Sequence, residues 1–255
     1  MQANVITEQP IRLGYIKLPI IALALACLFI NDSHGSILTF DQFRNASGSV
    51  VPTISGNGPE SDYGDNITGS PMNVPGGQYT YGNGGEGFTP NISVDFFAGN
   101  NNVSLWQGGY GDLTNVLIGD NNSNSLNIRF IAEPGFAVLF YGFDIGGWFN
   151  TDYTINAITL TNGSATLFSQ NNTLVEGNFS GPRHSSFQFG TPFSSTELVL
   201  QIDFSNLSGS QHDNIGVDNV RFGQQKLSEV PLPGAFFLFF SGMMAIALRR
   251  FRLSR

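Results

Sequence analysis

The chain has 255 residues, 19 acidic and 11 basic, for a net charge of −8. Six of the basic residues (Arg12, Lys17, Arg249, Arg250, Arg252 and Arg255) lie in the terminal segments, so the body is more acidic still and has no basic patch; nucleic-acid partners are excluded on charge. A single cysteine, Cys27, excludes intramolecular disulfides and Cys-based zinc sites, while 23 phenylalanines in a Gly- and Asn-rich chain argue for a packed core rather than disorder.

In chain order, Arg12 and Lys17 precede an apolar stretch from Leu18 to Ile30. At about 13 residues this has the length of a signal-peptide core, not of a membrane span. Ser33-His34-Gly35 puts small residues at both cleavage positions and predicts a mature chain from Ser36. Ala24-Leu25-Ala26 is a poor lipobox, so Cys27 reads as part of the leader. The predicted organisation is a signal peptide over 1–35, a β-sandwich domain over 36–228 and a sorting or membrane-anchor segment over 229–255.

The body alternates with period two, the mark of half-buried strands. A strand is expected over Ile37 to Phe43, followed by long Pro- and Gly-rich loops from Val51 to Thr89. Ile92, Val94 and Phe96 alternate with Ser93 and Asp95; Leu126, Ile128 and Phe130 alternate with Asn127 and Arg129. Phe136 to Phe143 is nearly continuous in apolar residues and reads as a central strand. Tyr153 to Leu160 and Ser164 to Phe168 flank Asn162-Gly163, a hairpin signal. Further strands fit Ser186 to Phe189, Leu198 to Phe204 and Ile215 to Phe222. Between the terminal segments no amphipathic helix of useful length is expected. Many short antiparallel strands with Gly/Asn turns predict an all-β, jelly-roll-like antiparallel sandwich, flanked by an N-terminal signal helix and a C-terminal hydrophobic helix.

The chain ends on Val230-Pro231-Leu232-Pro233-Gly234, an apolar run to Leu248, and Arg249-Arg250-Phe251-Arg252. Motif, apolar segment and basic cluster in that order resemble the PEP-CTERM sorting signal of bacterial exosortase substrates, in a VPLP form with Leu232 where the family has Glu. The resemblance covers the tail only. It implies export through the secretion machinery, recognition by an exosortase-like enzyme, anchoring in the membrane, and transfer to the cell surface or an extracellular matrix rich in polysaccharide.

Asp213-Asn214-Ile215-Gly216-Val217-Asp218-Asn219 is similar to the closing strand of such proteins and of jelly-roll modules such as carbohydrate-binding domains. Phe40-Asp41 is similar to their opening strand. The resemblance implies neighbouring first and last strands and a structural calcium held by Asp41 and Asp218, with Asp213 a further candidate; calcium takes oxygen ligands from carboxylates and carbonyls. The alternative is that Asp218 and Asn219 hydrogen-bond nearby backbone.

Tyr79, Tyr81, Trp106 and Tyr110 lie near Gly and Asn, in segments read as loops or loop edges, and are the expected glycan-contacting aromatics. Catalysis has little sequence support. His184 and His212 lie in no metal-ligand spacing and no Gly-x-Ser-x-Gly elbow occurs. The chain is expected to be a non-catalytic structural or glycan-binding protein; the alternative is a glycosidase-like enzyme using two carboxylates on the same fold.

Overall fold

A computed structural model describes residues 34–44, 50–52, 56, 63, 89, 91–99, 103–119 and 122–227. Residues 1–33 of the expected leader, the expected sorting segment 229–255, Tyr79 and Tyr81, and most of the Pro/Gly-rich stretch lie outside the described residues. All described residues belong to the second of two compact units, Ser33–Arg255.

Thirteen strands are formed among the described residues: β1 (His34–Leu38), β2 (Gln42–Arg44), β3 (Val50–Pro52), β4 (Ile92–Phe97), β5 (Val103–Tyr110), β6 (Leu113–Gly119), β7 (Ser125–Ala132), β8 (Phe136–Gly147), β9 (Tyr153–Thr161), β10 (Thr166–Val175), β11 (Ser185–Ser195), β12 (Glu197–Asp203) and β13 (Ile215–Lys226). The first sheet runs β11-β8-β13-β6-β5, with β1 also paired to β13; the second runs β10-β9-β12-β7-β4. The strands of both sheets pair antiparallel. From β4 to β13, every connection except the β5–β6 and β9–β10 hairpins crosses from one sheet to the other. The result is a two-layer sandwich.

Alternation places the core as the sequence predicts. Leu198, Leu200 and Ile202 on β12 are buried, as are Leu126, Ile128 and Phe130 on β7. Phe130 reaches across the layers to Phe140 and Phe222, with ring centroids 5.6 and 5.0 Å away. The continuous apolar run becomes β8, flanked on both sides by β11 and β13.

Three expectations are corrected. The first strand breaks after Leu38, because Phe40 takes φ 55° to stack on Tyr63 and donates its N–H to the Tyr63 hydroxyl at 2.9 Å. Segments 103–110 and 113–119, for which alternation predicts no strand, form β5 and β6. The Asn162-Gly163 hairpin has a four-residue connection, Asn162 to Ala165, because the Asn162 side chain accepts from Ser164 and Ala165 main-chain N–H groups. Strand β11 also bulges between Gln188 and Phe193, a span that includes Pro192; lacking an N–H, proline is tolerated on such an edge. The expected neighbouring of first and last strands is present, with Leu38 opposite Val220 and His34 opposite Gln224. Among the described residues no helix is long and apolar enough to cross a membrane, and the segments expected to form terminal helices lie outside them.

Candidate functional site

The β5–β6 hairpin folds back over the outer face of the first sheet. A β-carbon on Gly216 would meet Val116 at 2.6 Å and the Tyr110 ring at 2.8 Å, so only glycine admits this arm. Tyr110, Leu113, Val116 and Ile118 thereby form a second apolar cluster, with Trp148 packed against it. Tyr110 is 2% exposed and its hydroxyl donates to the Asp213 carbonyl at 2.6 Å. Burial, then the Asp213 and Tyr153 charges, push its phenol well above the ordinary value. Tyr110 is therefore a structural residue at the end of a strand, not a loop aromatic open to a glycan.

Three loops interlock at the tip of this arm. Trp148 leaves β8, pairs with Tyr110 in an isolated bridge and donates its N–H to the Asn214 carbonyl at 2.8 Å. Phe149 and Asn150 follow in left-handed conformation, φ 51° and 55°, and the Asn150 N–H reaches the Gly109 carbonyl at 3.1 Å. A bulky residue at positive φ is strained unless its surroundings hold it. Here the hold is dense. Tyr153 donates its hydroxyl to the Trp148 carbonyl at 3.3 Å and accepts from Asn214 at 2.8 Å. Asp152 accepts the N–H groups of Gly177 and Asn178 at 2.9 and 3.0 Å.

The product of this constraint is an aromatic aimed at solvent. Phe149 is 70% exposed and sits edge-on against Trp148, centroids 4.6 Å apart at 84°. On the adjoining loop Phe179 is 52% exposed, with the Arg183 guanidinium 5.0 Å above its ring centre. Gly111 lies against the Arg183 carbonyl, and Asp112 pairs with His184 at 2.7 Å. Partial burial pushes the Asp112 carboxyl up, but the His184 hydrogen bond and charge, a backbone hydrogen bond and Arg183 together hold it below the usual value. Thr151, Asn178 and Ser180 on these loops are exposed; the Thr151 hydroxyl donates to the Phe149 carbonyl, and Asn178 Oδ1 accepts from the Ser180 N–H and hydroxyl.

The predicted site residues do not all come together: Asp213 lies at the three-loop end, and Asp41 and Asp218 lie by the junction of β1 and β13. Asp213 is in the 3-10 turn Gly209–Asn214 at this end. Asp218 is separated from it by the extended run from Ile215, about 10 Å of strand at 3.3 Å per residue. Asp218 is buried and its Oδ1 accepts from the Asn219 N–H at 2.6 Å, with Asn219 at φ 49° in a bulge. Asp41 is exposed, three residues beyond the Leu38–Val220 pair, and accepts a hydrogen bond from Asn115 Nδ2. Among the described residues no group of three or more His, Cys, Asp or Glu is placed to hold a metal ion. Trp106 lies within β5, paired with Val116, and is 38% exposed.

Sequence reasoning misses Phe149, Phe179, Arg183 and the Asp112–His184 pair. A local signal exists for the first: Trp148-Phe149-Asn150 ends an apolar strand on two consecutive aromatics, which cannot both point into one core, followed by a residue tolerant of positive φ. A buried ion pair also escapes it. Asp144 on β8 accepts from Arg221 at 2.8 Å and from Ser186 at 2.7 Å, and it stands opposite Asp218 in register.

No protein-family profile matches the chain, and no curated protein matches it. Among solved structures, the Stig cyclase Fisc from Fischerella sp. TAU, in complex with (3Z)-3-(1-methyl-2-pyrrolidinylidene)-3H-indole, is similar to half of this chain. It aligns at 13% identity over 50% of this chain and 76% of its own, with a TM-score of 0.31, too low to carry an argument about fold or function.

Proposed function

We propose that the chain is an exported bacterial surface or matrix protein whose sandwich, of jelly-roll type, is a non-catalytic glycan-binding module. The observation that carries the binding reading is Phe149: an exposed aromatic held at positive φ on a Trp148 support, with the exposed polar residues Thr151, Asn178 and Ser180 on its own and the adjoining loop. Strain of this kind clusters at ligand clamps. A flat ring faces the C–H side of a sugar, and the amides and hydroxyls meet its edges.

The glycosidase alternative asks for two carboxylates flanking a substrate bond. Asp144 and Asp218 share a sheet face, but both are buried, and Asp144 is committed to Arg221 and Ser186. This favours binding over turnover.

Export rests on the leader and on Val230 to Gly234 with the Arg249–Arg252 cluster. An exosortase-like enzyme would read the tail in the membrane before transfer outward. Mass spectrometry of the mature C-terminus tests this in hosts with and without the sorting enzyme. An end near Val230 to Gly234 only when the enzyme is present supports sorting; Arg249 to Arg255 retained in both hosts overturns it.

A structural calcium between the first and last strands fits the donor chemistry in part. Buried Asn115 gives its Nδ2 to Asp41 and leaves its Oδ1 without a hydrogen-bond partner among the described residues. Asp41, Asn115 and Asp218 would hold the ion, which would stabilise the junction and take no part in chemistry. A melting temperature unmoved by calcium or by chelator sinks this assignment.

The binding module is tested on the secreted protein with a glycan array. Retention of at least one glycan by wild type, and its loss in Phe149→Ser, is the expected result. A wild type that retains none overturns the binding reading and leaves the domain a structural spacer.

A further inference from the structure

We propose that the glycan taken at the three-loop end is acidic, a largely neutral polysaccharide bearing isolated uronic acid residues, and that Arg183 receives the uronate carboxylate. This rests on the glycan-binding reading and makes it specific. The starting point is charge. In a protein of net charge −8, an exposed cation beside the candidate site needs a reason. Arg129 and Arg221 are committed to Glu197 and Asp144. Among the described residues Arg183 makes no ion pair, and its neighbour carboxylate, Asp112, is already bound to His184.

The geometry suits a carboxylate. The Arg183 main chain is pinned by Gly111, while its guanidinium lies over Phe179. This cation–π contact makes no hydrogen bond, so the five guanidinium N–H donors can still form a two-pronged bond to a carboxylate. A uronic acid presents such a carboxylate at one side of a ring whose C–H face can lie on an aromatic. Phe149 and Phe179 come from loops tied together through Asp152, so ring contact and carboxylate contact fall on one end of the sandwich. Among the described residues there is one such arginine, and the surrounding body is acidic. A densely charged polyuronate or a phosphodiester chain would be repelled, whereas a chain with one carboxylate per several sugars would not.

The experiment uses the secreted protein and a panel of uronic-acid-bearing oligosaccharides, each paired with its carboxyl-reduced counterpart. Titration calorimetry should show at least one native oligosaccharide bound about ten-fold more tightly than its reduced form, the scale of one charge-assisted contact. Arg183→Gln should erase that difference; Arg183→Lys should restore only part of it. Phe149→Ser should weaken both forms. Equal affinity for native and reduced forms overturns the acidic-glycan inference while glycan binding itself stands. Failure of every pair to bind overturns both.

Discussion

Gly111 packs its backbone against the main-chain carbonyl of Arg183, so that a β-carbon at position 111 would fall on that oxygen. This contact joins the folded-back β5–β6 arm to the β10–β11 loop, and with it the buried Tyr110 cluster to the exposed Arg183 and the half-buried His184. Gly111 also sits at φ 64°, which an L side chain resists. Gly111→Ala should therefore undock the arm. Two penalties, backbone strain and a clash, predict a loss of about 2–3 kcal/mol. Urea unfolding measures it; a change under about 0.5 kcal/mol would mean that the arm is not held at this point.

The buried Asp144 carboxylate depends on Arg221. Removing the cation strands a charge that Ser186 alone cannot neutralise. Arg221→Met should cost about 3 kcal/mol, whereas Arg221→Met combined with Asp144→Asn should cost clearly less, because the uncompensated charge is gone. A double-mutant cycle reads the coupling directly. Additive losses would show that the pair contributes only packing.

Much of the sandwich is legible in the order of residues alone. β12 and β7 follow from strict alternation, and β8 from a run too apolar for a half-exposed strand. β5 escapes because Gly108 and Gly109 interrupt Val103–Tyr110, and its pairing with β6 depends on where the arm folds. β1 looks continuous through Phe43 because Phe40 is apolar at an alternating position; the αL turn there is imposed by Tyr63, 23 residues away. The site is less legible for the same reason. Asp112, Phe149 and Arg183 come from three separate loops, and nothing local in the sequence says that Gly111 will touch Arg183.

Asp203 carries a pH dependence whose sign can be stated. Partial burial raises its carboxyl, but hydrogen bonds from the Ser205 side chain and backbone and from Asn156 outweigh it, and the net shift is downward. The Asn156 bond is 2.7 Å and the Ser205 N–H bond 2.9 Å. A folded value below the unfolded one means stability that is present above about pH 4 and lost as pH falls through the folded value. The stability gap between wild type and Asp203→Asn should be widest near neutrality and close on acidification. Denaturant midpoints of both proteins from pH 7 to strongly acidic conditions test this. A gap that stays constant removes the carboxylate from the account.

Phe149 separates binding from folding. Its φ of 51° costs a bulky residue about 1–3 kcal/mol, while its edge-on contact with Trp148 returns about 0.5–1.5 kcal/mol. With most of its surface in water, little burial is added. Phe149→Gly relieves the strain and deletes the ring contact, although glycine gives up more conformational freedom on folding. The opposing terms nearly cancel, so the melting temperature should move by only a few degrees in either direction. Glycan affinity should nevertheless fall sharply, because the ring that faces the ligand is gone. A core phenylalanine behaves in the opposite way. Phe130→Ala, which empties the space between Phe140 and Phe222, should cost about 3–5 kcal/mol. Should Phe149→Gly instead destabilise the fold on that scale, Phe149 would be a packing residue, and the case for a ligand at this end would fail with it.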